Sequence, residues 1–464
     1  MRALLSVVTI LCVSTELFAQ RRGDTVEEHI QMAQHAQSHQ DCHTAAREYA
    51  VVARRLPSSA EVRSNLGVAL YCDNQLPEAI SAFERALELK PNLIAPHLFL
   101  GLASYRLSYR DRAVKELQQA VLLNASDATA HTWLGYAYVS QSKYDSAIKE
   151  FNEAERLDPS NIDVRYALGQ SYLEIGRQKA RELISVAPRS GLVWKLAGEQ
   201  YELSGDQERA LAAFAEARKR TSGAISPPAE ESLYRQAHDA EAASQAAFQW
   251  LIQYAPDSYR AHQIMAESLI ARQDPDSAIA EYRTVLALNP TLPGIHEAIS
   301  NCLMQGSHFA DALSELRIEQ ALQPRSAEVL TSIARVQLAL ADDTGAEASL
   351  RQATTLGDAP PQAYLLLAKA KLRNGDAPSA ISLLNRFLTY SSDNSLAYYL
   401  LARAYRSIND REKMNLAIAS YKQTSRDEND RRLIQAQIET PSSQQAVLNA
   451  QETKDADILA SVHP

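Results

Sequence analysis

Residues 60–93 read AEVRSNLGVALYCDNQLPEAISAFERALELKPNL, and residues 94–127 and 128–161 repeat the same pattern of small and large apolar residues. A Leu-Gly pair recurs every 34 residues, at Leu66-Gly67, Leu100-Gly101, Leu134-Gly135 and Leu168-Gly169. On the same period an alanine, a large apolar residue and a second alanine follow, for example Ala79, Phe83 and Ala86. Small and large residues fixed to such a period predict an array of helical repeats.

The order of residues within one segment resembles the tetratricopeptide repeat family. The residues that carry this resemblance are Leu66, Gly67, Leu70, Ala79, Phe83, Ala86 and Pro91. It extends over about 400 of the 464 residues and implies an all-α fold, a right-handed superhelical solenoid of about twelve helix-turn-helix repeats. Because one repeat cannot bury its own apolar face, we expect neighbouring repeats to stabilise one another by stacking.

The register gives twelve repeats between residues 26 and 428, and the prolines support it. Six of them share one position, just after the second helix: Pro57, Pro91, Pro159, Pro256, Pro290 and Pro324. A proline inside a helix costs about 3 kcal/mol, and in this register no proline falls there. Repeat 162–190 is five residues short, in what we take to be its second helix, and we expect a local kink there. Repeat 225–258 matches the pattern least well.

The chain divides into five predicted segments. They are a signal peptide (1–19), an N-terminal array (20–224), a degenerate repeat or junction (225–258), a C-terminal array (259–428) and a polar, mostly disordered tail (429–464). The signal peptide is indicated by Arg2, a short apolar run and Ala19 at the cleavage point. A retained N-terminal anchor is the alternative. We therefore expect an exported protein, periplasmic in a Gram-negative source, with no membrane span once the signal is removed.

Composition and motifs argue against two classes of function. The net charge of −9 provides no basic surface that would displace counterions from phosphates, so we expect no nucleic-acid partner. The sequence has no Gly-rich phosphate loop, nucleophile elbow or paired-cysteine metal motif. The array also leaves no length for a catalytic domain. We therefore predict a protein that is not an enzyme and has no cofactor.

The resemblance implies that first helices line a concave groove, and the residues at its groove positions indicate a binding surface. In the N-terminal array these residues are Val68, Tyr71, Leu98, Leu102, Tyr105, Tyr136, Val139, Tyr166 and Leu173. A contiguous apolar surface of this kind usually marks a binding site. The alternative is that tight winding buries these side chains against their neighbours. Further along, the groove residues Lys369, Tyr399, Arg403 and Arg406 suit a carboxylate or an acidic segment.

Histidines and cysteines cluster near the N-terminus, at His29, His35, His39, His43, Cys42 and Cys72. His35 and His39 have the spacing that presents two imidazoles to one metal ion. The sequence offers no evident third ligand. The alternative to a metal site is a solvated helix that caps the array, and we predict no metal site. Cys42 and Cys72 fall at the touching ends of two antiparallel helices, where an exported protein can form a disulfide. The alternative is two separate small apolar residues.

These patterns together predict a non-catalytic scaffold that binds an extended peptide or a partner protein in its concave groove. An accessory subunit of an envelope complex, for assembly, secretion or polysaccharide export, is the alternative. Neither hypothesis sets an oligomeric state.

Overall fold

The structure, a computed structural model, describes residues 25–203, 207–221, 227–356 and 359–438, and its regular elements in these ranges are 22 α-helices. The chain forms two compact bodies, an N-terminal body up to Ser171 and a C-terminal body from Tyr172. The predicted signal peptide and most of the predicted tail lie outside the described residues.

The N-terminal body consists of four helical hairpins and the start of a longer helix. Its helices are α1 (Val26–Ser38), α2 (Cys42–Arg55), α3 (Ala60–Cys72), α4 (Leu76–Leu89), α5 (Ile94–Arg106), α6 (Arg110–Leu123), α7 (Ala128–Ser140), α8 (Tyr144–Leu157) and α9 (Ile162–Val186), which continues into the C-terminal body.

The C-terminal body continues the same alternation of first and second helices. Its helices are α10 (Gly191–Leu203), α11 (Gln207–Thr221), α12 (Pro228–Tyr254), α13 (Tyr259–Ala271), α14 (Pro275–Leu288), α15 (Ile295–Gln305), α16 (Phe309–Leu322), α17 (Ala327–Ala339), α18 (Asp343–Thr355), α19 (Pro361–Arg373), α20 (Ala377–Leu388), α21 (Ser395–Ser407) and α22 (Arg411–Ile438). The last helix extends past the boundary predicted at residue 428. Within the described ranges, no helix combines the length and apolar character that a bilayer crossing requires.

One residue of left-handed conformation ends the first helix of nine repeats, always at the fifteenth position. These residues are Gln40, Asn74, Ser108, Ser142, Gln273, Ser307, Ala341, Gly375 and Asn409. The backbone N–H of the next residue then bonds a carbonyl one turn back, as when Tyr109 donates to Ser104 over 2.8 Å. This arrangement satisfies a helix-end carbonyl and directs the chain into the second helix.

Three of the Leu-Gly pairs, those that contain Gly67, Gly101 and Gly135, lie where the two helices of a hairpin approach closely. A Cβ atom added to Gly67 would lie 2.5 Å from the ring of Phe83, and one added to Gly135 would lie 2.5 Å from the ring of Phe151. Both rings are fully buried. The period of 34 residues therefore repeats one packing contact, a glycine against a large side chain, and the predicted helical array is confirmed.

Two repeats differ from the prediction, because each forms one continuous helix instead of a hairpin. Repeat 162–190 was expected to contain a shortened second helix, but it forms α9, in which Gly176 is helical at the position of the left-handed residue. The five missing residues remove the turn. Repeat 225–258 forms α12, with Asp239 helical at the same position. The array therefore has ten two-helix repeats and two single-helix repeats.

A histidine–glutamate pair joins the two helices in five of the repeats. The pairs are His29–Glu48 (2.6 Å), His97–Glu116 (2.8 Å), His131–Glu150 (2.7 Å), His262–Glu281 (2.7 Å) and His296–Glu315 (2.6 Å). Each pair joins Nδ1 of a histidine near the start of the first helix to a carboxylate of the second. The constant separation of 19 residues shows that this contact belongs to the repeat.

Candidate functional site

Aromatic rings from three successive first helices of the N-terminal body touch one another. The rings of Tyr71 and Phe99 meet edge to face with centroids 5.4 Å apart. The ring of Trp133 lies 5.6 Å from that of Tyr105 and 5.6 Å from that of Tyr136. We call these five residues the aromatic strip.

Sequence reasoning identified the tyrosines of this strip but missed Phe99 and Trp133. Both occupy the sixth position of their repeats, immediately after the fifth position that was assigned to the groove. The recurrence of large aromatic residues at one position of two successive repeats was the signal that could have found them. Phe99 also stacks on the core residue Phe83, with centroids 6.1 Å apart. The strip is therefore continuous with the packed interior.

Burial separates the predicted groove residues of the N-terminal array into two groups. Leu102 and Tyr166 are only 8% and 9% exposed, so they do not offer open surface. Half-buried residues make up the second group: Val68, Tyr71, Leu98, Tyr105, Tyr136, Val139 and Leu173. Winding against neighbouring repeats thus covers part of the predicted surface and leaves the tyrosines of the strip accessible.

The strip carries no ionised side chain of its own. Burial raises the pKa of the Tyr71 phenol, an effect that the nearby Arg106 opposes. The Arg106 guanidinium lies 5.5 Å from the centre of the Tyr71 ring. The Tyr136 hydroxyl donates to the carbonyl oxygen of Asp163 over 3.5 Å. The surface is thus apolar and neutral, with a cation at one edge.

The predicted groove residues of the C-terminal body are mostly charged. Arg403 and Arg406 are exposed, whereas Lys369 and Tyr399 are half-buried. The Arg403 guanidinium lies 5.8 Å from the centre of the Tyr399 ring, and that ring lies 6.1 Å from the ring of Tyr421 on α22. The two bodies therefore present first-helix surfaces of different chemistry.

Comparison with known families identifies the repeats. A model of the TPR repeat matches residues 135–176, and a model of the tetratricopeptide repeat matches residues 30–94, 232–293 and 365–413. The chain is a tetratricopeptide repeat protein. The matches at 135–176 and 232–293 each include part of a single-helix repeat, so these repeats keep the family pattern without the turn.

Solved structures of MamA are similar to part of this tetratricopeptide repeat protein. A crystal structure of MamA matches with 20% identity and a TM-score of 0.31, covering 44% of this chain and 100% of that chain. MamA residues 41–end from Desulfovibrio magneticus RS-1 match with 20% identity and a TM-score of 0.31, covering 44% and 99%. No curated protein matches the chain. The family matches support a protein-interaction scaffold as its general role.

The N-terminal repeats of this tetratricopeptide repeat protein bring the two predicted cysteines together. Cys42 and Cys72 form a disulfide that joins the start of α2 to the end of α3, with Cα atoms 5.5 Å apart. This disulfide links the first repeat covalently to the second. The third described cysteine, Cys302, is a buried free thiol.

The four N-terminal histidines have three different environments. His29 pairs with Glu48, and His43 lies 3.1 Å from the carboxylate of Asp73. The rings of His35 and His39 are adjacent, with centroids 4.2 Å apart, and both line a shallow cavity beside Glu28. In the part of the chain that the structure describes, no group of three or more His, Cys, Asp or Glu side chains has the arrangement of a metal site.

Buried carboxyl groups occur in the C-terminal body, and sequence reasoning missed them. Glu319 is fully buried and accepts hydrogen bonds from the Gly294 backbone N–H at 2.8 Å and from Gln323 at 2.6 Å. Burial and the nearby Glu319 raise the pKa of Glu297, although Ser332 donates to its carboxylate over 2.5 Å. Because burial disfavours the charged carboxylate, we expect Glu297 to make the stability of its repeat depend on pH.

Proposed function

We propose that the N-terminal body binds an extended, uncharged segment of a partner protein along the aromatic strip, without catalysis. The observation that carries this proposal is a ring contact at each step between neighbouring first helices: Tyr71 on α3 meets Phe99 on α5, and Tyr105 on α5 meets Trp133 on α7. Aromatic side chains give a large contact area at low entropic cost, because only two side-chain angles must be fixed. Ring–ring contacts already hold these side chains in place, so little ordering remains to oppose binding.

The spacing of the first helices suits an extended ligand. Packed helices lie about 8–10 Å apart, and an extended chain in the polyproline II conformation advances about 3.1 Å per residue with about three residues per turn. One turn of the ligand therefore corresponds to one repeat. A ligand lying from α3 to α7 crosses two such intervals, so we expect a recognition segment of roughly seven residues in which every third side chain is apolar and faces the strip.

Binding along the strip can be tested with peptides selected against the purified protein from an unbiased library. Affinities are then compared between the wild type, a double variant Tyr105→Ala and Tyr136→Ala, and the control Tyr109→Ala. Tyr109 is an exposed tyrosine of the same body outside the strip. We expect the double variant to lose about tenfold or more in affinity, as removal of aromatic anchors usually does. Equal affinity for all three proteins, with unchanged helical circular dichroism, contradicts the proposal.

Trp133 provides a second measurement inside the strip. Replacing the other two tryptophans, Trp194→Phe and Trp250→Phe, leaves its fluorescence as the only tryptophan signal. A peptide that covers the strip removes water from the Trp133 ring and is expected to shift its emission. A selected peptide that binds without changing this emission lies elsewhere on the protein.

We also propose that the chain is exported, and the Cys42–Cys72 disulfide supports this, because such bonds persist in oxidising compartments. Cleavage after Ala19 gives a mature protein that begins at Gln20, which N-terminal sequencing of the fractionated protein can check. A mature protein that retains residue 1 and partitions with membranes favours the anchored alternative.

A further inference from the structure

A cation recurs at one position of the last three repeats. Arg335 on α17, Lys369 on α19 and Arg403 on α21 each occupy the ninth position of the first helix, at intervals of 34 residues. None of the other nine repeats has Lys or Arg at this position. In the N-terminal body the ninth position holds Val68, Leu102 and Tyr136 instead. The three residues form what we call the cation ladder.

Three arginines of this surface are accessible. Arg335, Arg403 and the neighbouring Arg406 are exposed, and none of them forms an ion pair with a described residue. Glu297 is close enough to Arg335 to feel its charge, but its carboxylate accepts its hydrogen bond from Ser332.

Two cations of α19 form ion pairs with the preceding repeat. On α19, Lys371 pairs with Glu347 at 2.8 Å and Arg373 pairs with Asp343 at 2.9 Å. These pairs join α19 to the preceding second helix, α18. On α21, by contrast, Arg403 and Arg406 form no ion pair with any side chain that the structure describes.

Stacking positions part of the available charge. The Arg403 guanidinium lies over the Tyr399 ring, which is held in turn by contact with Tyr421. A guanidinium is planar, so one that stacks over an aromatic ring keeps its in-plane N–H groups available to bind a carboxylate in a bidentate manner. Arg403 is therefore oriented for an acidic group before any ligand arrives.

We infer that the cation ladder binds an extended acidic segment of a partner protein, with Asp or Glu at every third residue. The inference does not depend on the aromatic strip. At the usual separation of packed helices, about 8–10 Å, one turn of a polyproline II chain spans two neighbouring first helices, because it has about three residues per turn and a rise of about 3.1 Å per residue. Successive carboxylates of such a segment would meet Arg335, Lys369 and Arg403 in turn. Charge complementarity selects this ligand, because each contact is a charge-assisted hydrogen bond.

The test compares two labelled peptides of the same composition by fluorescence anisotropy at low salt. In one peptide the acidic residues recur at every third position, and in the other they are contiguous. We expect the spaced peptide to bind several-fold more tightly, and its affinity to fall as salt screens the charges. Equal affinity of the two peptides contradicts the spacing that the ladder imposes.

The chain offers a matched control for the ladder. Arg283, Arg317 and Arg351 are also exposed and also recur at 34-residue intervals, but on second helices. A triple variant of the ladder, Arg335→Gln, Lys369→Gln and Arg403→Gln, should lose about tenfold or more in affinity for the spaced peptide. The variant Arg283→Gln, Arg317→Gln and Arg351→Gln removes the same charge and should bind nearly as well as the wild type.

Two outcomes would overturn the inference. An equal loss in both triple variants shows that the peptide responds to net charge and not to the ladder. An oligonucleotide that binds the ladder more tightly than the spaced peptide assigns the surface to a phosphate polymer instead of an acidic protein segment. The circular dichroism spectra of both triple variants must match that of the wild type. If a triple variant is unfolded, the peptide affinities of single substitutions of Arg403 and Arg406 are compared instead.

Discussion

Nδ1 of His131 lies 2.7 Å from Oε2 of Glu150, and Nε2 of the same ring lies 3.1 Å from the carbonyl oxygen of Ala125. The Glu150 carboxylate and the Ala125 carbonyl are thus both within hydrogen-bond distance of the same ring. The ring therefore joins its own second helix to the loop of the preceding repeat. His97 makes the equivalent contacts with Glu116 and with the carbonyl oxygen of Pro91.

Removing this link should destabilise the N-terminal body. His131→Ala leaves a partly buried carboxylate and a carbonyl without their donor, which costs about 1–3 kcal/mol of unfolding free energy. Urea unfolding of His131→Ala, Glu150→Gln and the double variant gives the coupling energy of the pair. The exposed His39→Ala should leave stability unchanged. A coupling energy indistinguishable from zero means that the contact contributes nothing to stability.

The first of these pairs predicts a loss of stability in acid. Burial acts to raise the pKa of Glu48, but hydrogen bonds from His29 and Arg47 outweigh it and lower that pKa from its ordinary value of 4.5. A lowered folded-state pKa stabilises the protein above the unfolded-state pKa, and this stability is lost as the pH falls through the folded-state pKa. The free energy of unfolding should therefore decrease below about pH 4.5. Glu48→Gln should weaken this dependence, and an unchanged pH profile contradicts the assignment.

Glu297 should show the opposite dependence. Burial, followed by the charges of Glu319 and Glu328, raises its pKa in the folded state. Stability from such a group is present below its unfolded-state pKa and is lost as the pH rises through its folded-state pKa. Glu297→Gln removes the buried charge and keeps an acceptor for Ser332, so it should stabilise the C-terminal body at neutral pH. Thermal melts at neutral and mildly acidic pH check this, because the gain should disappear in acid.

A side chain at Gly67 or Gly135 should destabilise the hairpin that contains it. In Gly135→Ala the new Cβ would lie 2.5 Å from the buried Phe151 ring, and such overpacking costs about 1–3 kcal/mol. Gly306→Ala is the matched control, because its nearest neighbour is the exposed ring of His308, which can move. Denaturant midpoints that fall equally in both variants would show that helix packing is not the cause.

Reduction of the Cys42–Cys72 disulfide should loosen the first two repeats. The cysteines are 30 residues apart, and closing a loop of this size stabilises a protein by about 3–4 kcal/mol in the chain-entropy treatment. The melting temperature should fall in reductant for the wild type but not for Cys42→Ser with Cys72→Ser. Mass spectrometry of a non-reduced digest should find the two peptides linked; two free thiols there would contradict the pairing.

The repeat period was readable from the sequence because each repeat requires the same close contact, as between Gly67 and Phe83. The histidine–glutamate contacts could not be predicted in this way, because His and Glu are common on solvent-exposed helix surfaces. His131 and Glu150 look like solvated residues until the hairpin brings them together. The single helix α9 was missed because a five-residue deletion can be placed in the turn or in the second helix, and the apolar pattern does not distinguish them. Trp133 was missed because groove positions were assigned from the family geometry. That geometry does not show that a large ring at a neighbouring position can extend onto the same surface.

The left-handed residue at each turn implies that this chain can be made more heat-resistant from its loops alone. Only Gly375 is a glycine among the nine described turns, while residues such as Ser142 and Ala341 adopt φ values near +60°. That conformation costs a residue with a Cβ roughly 1 kcal/mol. Glycine at several of these turns should therefore raise the melting temperature, and the gains should add wherever two turns share no contact. Neither the strip nor the ladder would be altered.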